Sequence, residues 1–145
     1  MRRPILTILT ALLVTITVAT ASAKDSVWSA LVIANNRPQP TPIPAELGKL
    51  QGTLDEFFGY NQYQVIGESR HTLTGDEDWN TSSKYFSMRV DAKSAAKSTY
   101  QLGLQLFQED KLLLETEAKL TKRSPLVIRG PQVGDGQLVL LLVLE

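Results

Sequence analysis

QLVLLLVLE (residues 137–145) ends the chain, and from Leu138 to Leu144 it contains no polar residue. A strand with one face in water shows a polar side chain at every second position. A strand without that alternation needs cover on both faces and a neighbouring strand on each side. The run is therefore expected to be a central strand, entered through the turn Gly134-Asp135-Gly136. A strand of a transmembrane barrel would instead alternate lipid-facing apolar residues with polar ones.

Reading backwards, Pro125 to Arg129 is a short strand that Gly130-Pro131 interrupts. Tyr100, Leu102, Leu104 and Leu106 alternate with Gln101, Gly103, Gln105 and Phe107. After a polar turn at Gln108 to Lys111, Leu112, Leu114, Ala118 and Leu120 oppose Glu115, Glu117 and Lys119, which reads as a hairpin. Phe86, Met88 and Val90 alternate with Ser87, Arg89 and Asp91, and Tyr63 and Val65 open a strand running toward Leu73. VWSALVIA (residues 27–34) is a second two-sided apolar strand.

Between that strand and Tyr63 the period changes. Pro38, Pro40, Pro42 and Pro44 alternate with other residues and define a stiff polyproline-II connector. Leu47, Leu50, Leu54 and Phe57 then recur at helical spacing, so 45–58 is the one helix expected, started by Pro44 and stopped by Gly59. Gly48 and Gly52 weaken it, so packing on a sheet must hold it. The fold expected is mainly β: an antiparallel β-sandwich or strongly bent sheet of about six to seven strands with one packed α-helix, α+β being the alternative. The organisation expected is a signal peptide (1–23), an N-terminal strand region (24–36), the Pro-rich connector (37–44), and one helix-plus-sheet domain (45–145) whose sheet strand 27–34 joins.

The leader rests on Arg2 and Arg3, the apolar run Ile5 to Ala19, and the small residues of Ala21-Ser22-Ala23, which suit signal peptidase; Lys24 becomes the mature N-terminus. The competing reading is an uncleaved anchor over Pro4 to Ala23. Cleavage leads to the periplasm or the exterior, with no stable membrane insertion afterwards. The sequence has no Cys, so neither a lipid anchor nor a disulfide is available. Without the leader the chain carries two more acidic than basic residues, and nothing in that balance favours nucleic acid.

Catalytic constellations are sparse. His71 is the single histidine and lies in what reads as a solvated strand face. Neither a nucleophile elbow nor a multi-His zinc site can be assembled around it. A carboxylate-dependent hydrolase would have to pair Asp55 or Glu56 with Glu115 or Glu117. Asp76, Asp78 and Asn80 sit at positions 1, 3 and 5 of a weak calcium-loop pattern that lacks its Gly and its bidentate Glu, and an acidic hairpin loop without metal is expected. No cofactor is expected. Trp79 in that loop, with Tyr85, Tyr60 and Tyr63, forms a candidate aromatic set for a sugar or small ligand, the competing reading being that Trp79 folds back as a lid over the edge of the core. Lys119, Lys122 and Arg123 read as a solvated turn, and the sequon at Asn80 as a chance match.

The pattern Leu-x-x-Leu-x-x-x-Leu-x-x-Phe-Phe-x-Tyr-x-x-Tyr (47–63) and the closing Ser-Pro-Leu-Val-Ile-x-Gly-Pro-x-x-Gly-x-Gly-x-Leu-Val-Leu-Leu-Leu (124–142) resemble those of small bacterial exported β-rich proteins of unknown function. The resemblance implies a bacterial periplasmic or secreted β protein and assigns no functional residue. The function expected is a non-enzymatic binding or structural module of the cell envelope, its partner an envelope protein or glycan. Ligand binding through the loop aromatics and carboxylate hydrolysis are the alternatives.

Overall fold

In the computed structural model, which describes residues 24–145, the C-terminal apolar run is β8 (Gly136–Leu144), at the centre of a sheet. It pairs antiparallel with β1 (Asp25–Asn35) on one side and with β7 (Leu126–Val133) on the other, and β2 (Gln62–Leu73) lies beyond β1. The second sheet has the order β3 (Glu77–Ser82), β4 (Phe86–Ala96), β5 (Thr99–Gln108) and β6 (Lys111–Thr121). The two antiparallel sheets form a β-sandwich with one short helix. The leader and its cleavage junction lie outside the described residues.

The first sheet is covered on both faces, as its two apolar strands require. Leu138, Leu140, Leu142 and Leu144 of β8, with Val27 and Leu31 of β1, pack against Met88, Val90, Leu102, Leu104 and Leu106 of the second sheet. The opposite faces of the same strands, Val139 and Leu141 with Ala30, Val32 and Ala34, pack under Leu47, Leu50 and Leu54. Leu47 and Leu50 belong to a 3-10 segment, Ala45–Leu50, that continues into α1 (Gln51–Phe58), which carries Leu54 and stops at Gly59 with φ 63°. The periodic stripe differs at its end. Phe57 is 60% exposed, while Phe58 packs inward and lies under the guanidinium of Arg129, whose Nη2 donates to the Phe57 carbonyl at 3.2 Å. The helix thus ends beside the sheet-edge strand β7, and Phe58 supplies its last apolar contact.

Three further differences bear on the site. Of the residues read as an acidic loop, Glu77 to Asn80 lie in strand β3, in register with β4, and Asp76 lies just before it. That brings the strand count to eight. β7 runs through Gly130-Pro131 by means of a bulge between Arg129 and Gln132, a place where a sheet tolerates Pro. The Pro-rich excursion is pinned at its base: the Arg37 N–H donates to Asn61 Oδ1 at 2.8 Å, Asn61 Nδ2 returns a bond to the Arg37 carbonyl at 2.9 Å, and the Asn61 N–H donates to Asn36 Oδ1 at 3.0 Å.

Candidate functional site

One end of the sandwich, where β1 begins and β2, β6 and β8 finish, gathers an unusual set of polar side chains. Asp25 opens β1 and its side chain is only 10% exposed. Its Oδ2 accepts from the Tyr100 hydroxyl at 2.8 Å, and its Oδ1 from the Ser98 hydroxyl at 3.3 Å and from Lys122 Nζ at 3.2 Å. Burial raises the energy of the Asp25 carboxylate, but the hydrogen bonds from Tyr100, Lys122 and Ser98 and the charge on Lys122 outweigh it and hold the carboxyl below its ordinary value. The Tyr100 phenol moves the other way: burial first, then the Asp25 carboxylate, push it up to about 12. Asp25 thus joins the start of β1 to β5 of the second sheet, to the β4–β5 turn and to the turn after β6, a polar fastening of the sandwich end.

On the helix side of that end lies a cleft of ≈ 510 Å³. It lies beside Leu50 of the 3-10 segment at the Trp28 end of β1, and Trp28, which borders it, is itself only 4% exposed. Trp28, Leu50, Pro125 and Val143 provide apolar lining, Lys49, Arg70 and Lys122 bring positive charge, and Glu46 and Glu145 bring negative charge. Arg70 is paired with Glu145, and Trp28 Nε1 donates to Glu68 Oε2 at 3.0 Å.

The aromatic set singled out in the sequence does not converge. Trp79 is on β3, 8% exposed, in the core between the sheets, and its Nε1 donates to Ser29 Oγ at 3.1 Å. Val90 of β4 is its register partner, so alternation turns the indole inward. Tyr63 is buried on the helix side, its hydroxyl donating to the Leu54 carbonyl at 3.1 Å; burial pushes its phenol up. Tyr60 packs against the same helix-side cluster. Tyr85 is 56% exposed in the turn between β3 and β4, with Lys84 Nζ 5.2 Å from its ring centroid. No single ligand surface contains all four.

The acidic stretch is spent on strand contacts. Asp76 Oδ1 accepts the Ser94 N–H at 3.0 Å, and Asp78 Oδ2 accepts from Arg89 at 3.0 Å. Asn80 is exposed opposite Arg89. Along an extended strand alternate residues stand about 6.6 Å apart, so Asp78 and Asn80 lack the tight-loop convergence a calcium ion requires. Among the described residues no three His, Cys, Asp or Glu side chains are grouped to hold a metal ion. Asp78, Asp91, Gly103 and Glu117 form one register row across the outer face of the second sheet, with a shallow depression of ≈ 450 Å³ over Gly103. Of the carboxylates nominated for hydrolysis, Asp55 and Glu56 sit on α1, outside the first sheet, and Glu115 and Glu117 on β6 of the second. The sandwich separates the two pairs.

Sequence reading passed over Asp25, Ser98 and Tyr100 as a functional group, because 73 and 75 residues separate Asp25 from the two hydroxyls. Asp25 follows directly on the expected cleavage junction, and Tyr100 fits an apolar alternation. Comparison of the chain with family models, curated protein sequences and solved structures returned no match.

Proposed function

We propose that this chain is a non-enzymatic binding or structural module of a bacterial cell envelope, exported behind residues 1–23 to the periplasm or beyond. Its partner, an envelope protein or a glycan, meets it at the cleft lined by Trp28 and Val143. The observation that carries this reading is the cleft itself: a concave surface beside the helical layer, with apolar lining from Leu50, Pro125 and Val143 and side chains of both charges around it, the composition from which binding sites are built. Two observations weigh against a reaction centre. Asp25 and Tyr100 are spent on a hydrogen bond to each other across the sheets, and the nominated carboxylates are split across the sandwich.

A photo-crosslinking residue at Val143, tested in cells producing the full chain, examines this directly, with Gln105 on the outer face of the second sheet as the control. A discrete adduct from Val143 and none from Gln105 is expected, and its mass distinguishes protein from glycan. An adduct from Gln105 alone, or from neither position, overturns the assignment of the cleft.

A further inference from the structure

β2 and β3 belong to different sheets, yet they are fastened by successive rungs. Ser69 and Thr81 share a hydrogen bond of 2.6 Å. Two residues along β2, His71 Nε2 lies 2.7 Å from Glu77 Oε2, and the imidazole stacks on the Trp79 indole with centroids 5.1 Å apart and planes at 16°. The other seam, between β6 and β7, is different. Among the described residues no side-chain hydrogen bond crosses it, and Leu114, Ala118, Leu126 and Ile128 are only partly buried there.

We propose that His71 makes the β2–β3 seam a pH-dependent latch: the imidazolium–Glu77 pair holds the two sheets together at mildly acidic pH, and loss of that proton loosens the seam. Histidine is the one side chain that ordinarily changes charge between pH 5 and 8, and this chain has a single copy. The groups around it leave Glu77 as its partner. From β1 the register neighbour of His71 is Val27, and from β4 the neighbour of Glu77 is Ala92, both apolar. Asp25 at the start of β1 is bound to Tyr100, Ser98 and Lys122. Arg70 is the adjacent residue on β2, where alternation points it to the opposite face, and it is paired with Glu145. Asp76 and Asp78 flank Glu77 on β3; the first accepts from Ser94 and the second is paired with Arg89. Thr74 Oγ1 donates to the free oxygen of Glu77 and keeps it aimed at the ring.

The latch does not depend on the cleft reading, and an exported chain would meet external pH directly. Hydrogen exchange on the mature protein at pH 5.5 and pH 8, corrected for intrinsic rates, reads the opening of β3. The amides of Glu77–Ser82 are expected to open about five-fold less at pH 5.5, the size of effect a partly exposed ion pair gives. Indole emission reads the stack independently, since an imidazolium against the ring quenches it. In His71→Asn both pH responses should vanish. In Glu77→Gln the emission change should persist while the pH dependence of opening is lost. Equal opening of β3 at the two pH values in the wild type, or an unchanged pH response of exchange in either variant, overturns the proposal.

Discussion

At Gly67 one missing methyl group lets the two sheets approach. A Cβ built there would lie 2.3 Å from the Ser82 carbonyl oxygen and 2.8 Å from its carbon. Those atoms are backbone within the β3 seam, so they cannot swing aside as a side chain would. Gly67 also sits at the bulge in β1–β2 pairing between Leu31 and Val32. Gly67→Ala is expected to cost about 3 kcal/mol, the upper part of the usual overpacking range, read as a lower urea midpoint at unchanged slope. An unchanged midpoint would show that the seam gives way freely. The neighbouring acidic residues carry a second prediction. Because Asp78 is engaged by Arg89 and Asn80 projects from an extended strand, millimolar calcium should leave the melting temperature where it is. A ligand that binds only the folded state raises stability in proportion to the logarithm of its concentration. A rise of several degrees that disappears in Asp78→Asn would make this strand a metal site after all.

Element by element, legibility in the sequence followed how many neighbours each element needed to define it. β8 and β1 were readable because an apolar run without alternation has one solution in a soluble sheet, and Leu138, Leu140, Leu141 and Leu142 are all fully buried. The helix was readable from its spacing and its terminal Gly, although its first half is 3-10. β3 was not readable. Asp76-Glu77-Asp78 carries low strand propensity and follows Thr74-Gly75, so local chemistry points to a turn. What makes it a strand is pairing with β4 and the burial of Trp79 and Thr81, both contributed from elsewhere in the chain. Trp79, read as a loop residue that could fold back over the edge of the core, belongs to a strand and to the core itself. The two-sided reading of β8 makes a sharp prediction. Leu140→Asp buries a carboxylate between the sheets and Leu141→Asp buries one under α1, and each should abolish soluble folding, since several kcal/mol of unpaired charge matches the whole stability of a domain this size. Circular dichroism of refolded material checks both. If Leu141→Asp folded with its melting temperature intact, the helix layer would be dispensable.

For the whole molecule, stability is expected to form a plateau whose two shoulders come largely from one hydrogen bond. Asp25 ties the first strand of one sheet to Tyr100 of the other and to Lys122 in the turn after β6, so its protonation acts on global unfolding. Its folded carboxyl lies below the ordinary value of 3.8. It therefore contributes stability that is fully present above that value and is lost as pH falls through the folded one. Glu77, held down chiefly by the Thr74 hydroxyl from an ordinary 4.5, adds a loss of the same sign. Tyr100 behaves oppositely: raised from 10.0 to about 12, it contributes stability that is present below 10 and disappears as pH climbs toward 12. In Asp25→Asn the charge is removed while much of the shape remains, at an expected cost of about 2 kcal/mol near neutrality, the scale of hydrogen bonds to a charged group. Measured by urea unfolding from pH 2.5 to pH 11, the gap between wild type and Asp25→Asn should close on the acid side as the wild-type carboxylate takes up its proton. Tyr100→Phe should instead flatten the alkaline shoulder. A gap that stays constant from pH 7 down to pH 2.5 would mean that the Asp25 charge plays no part in joining the sheets, and that shape alone holds this end of the sandwich closed.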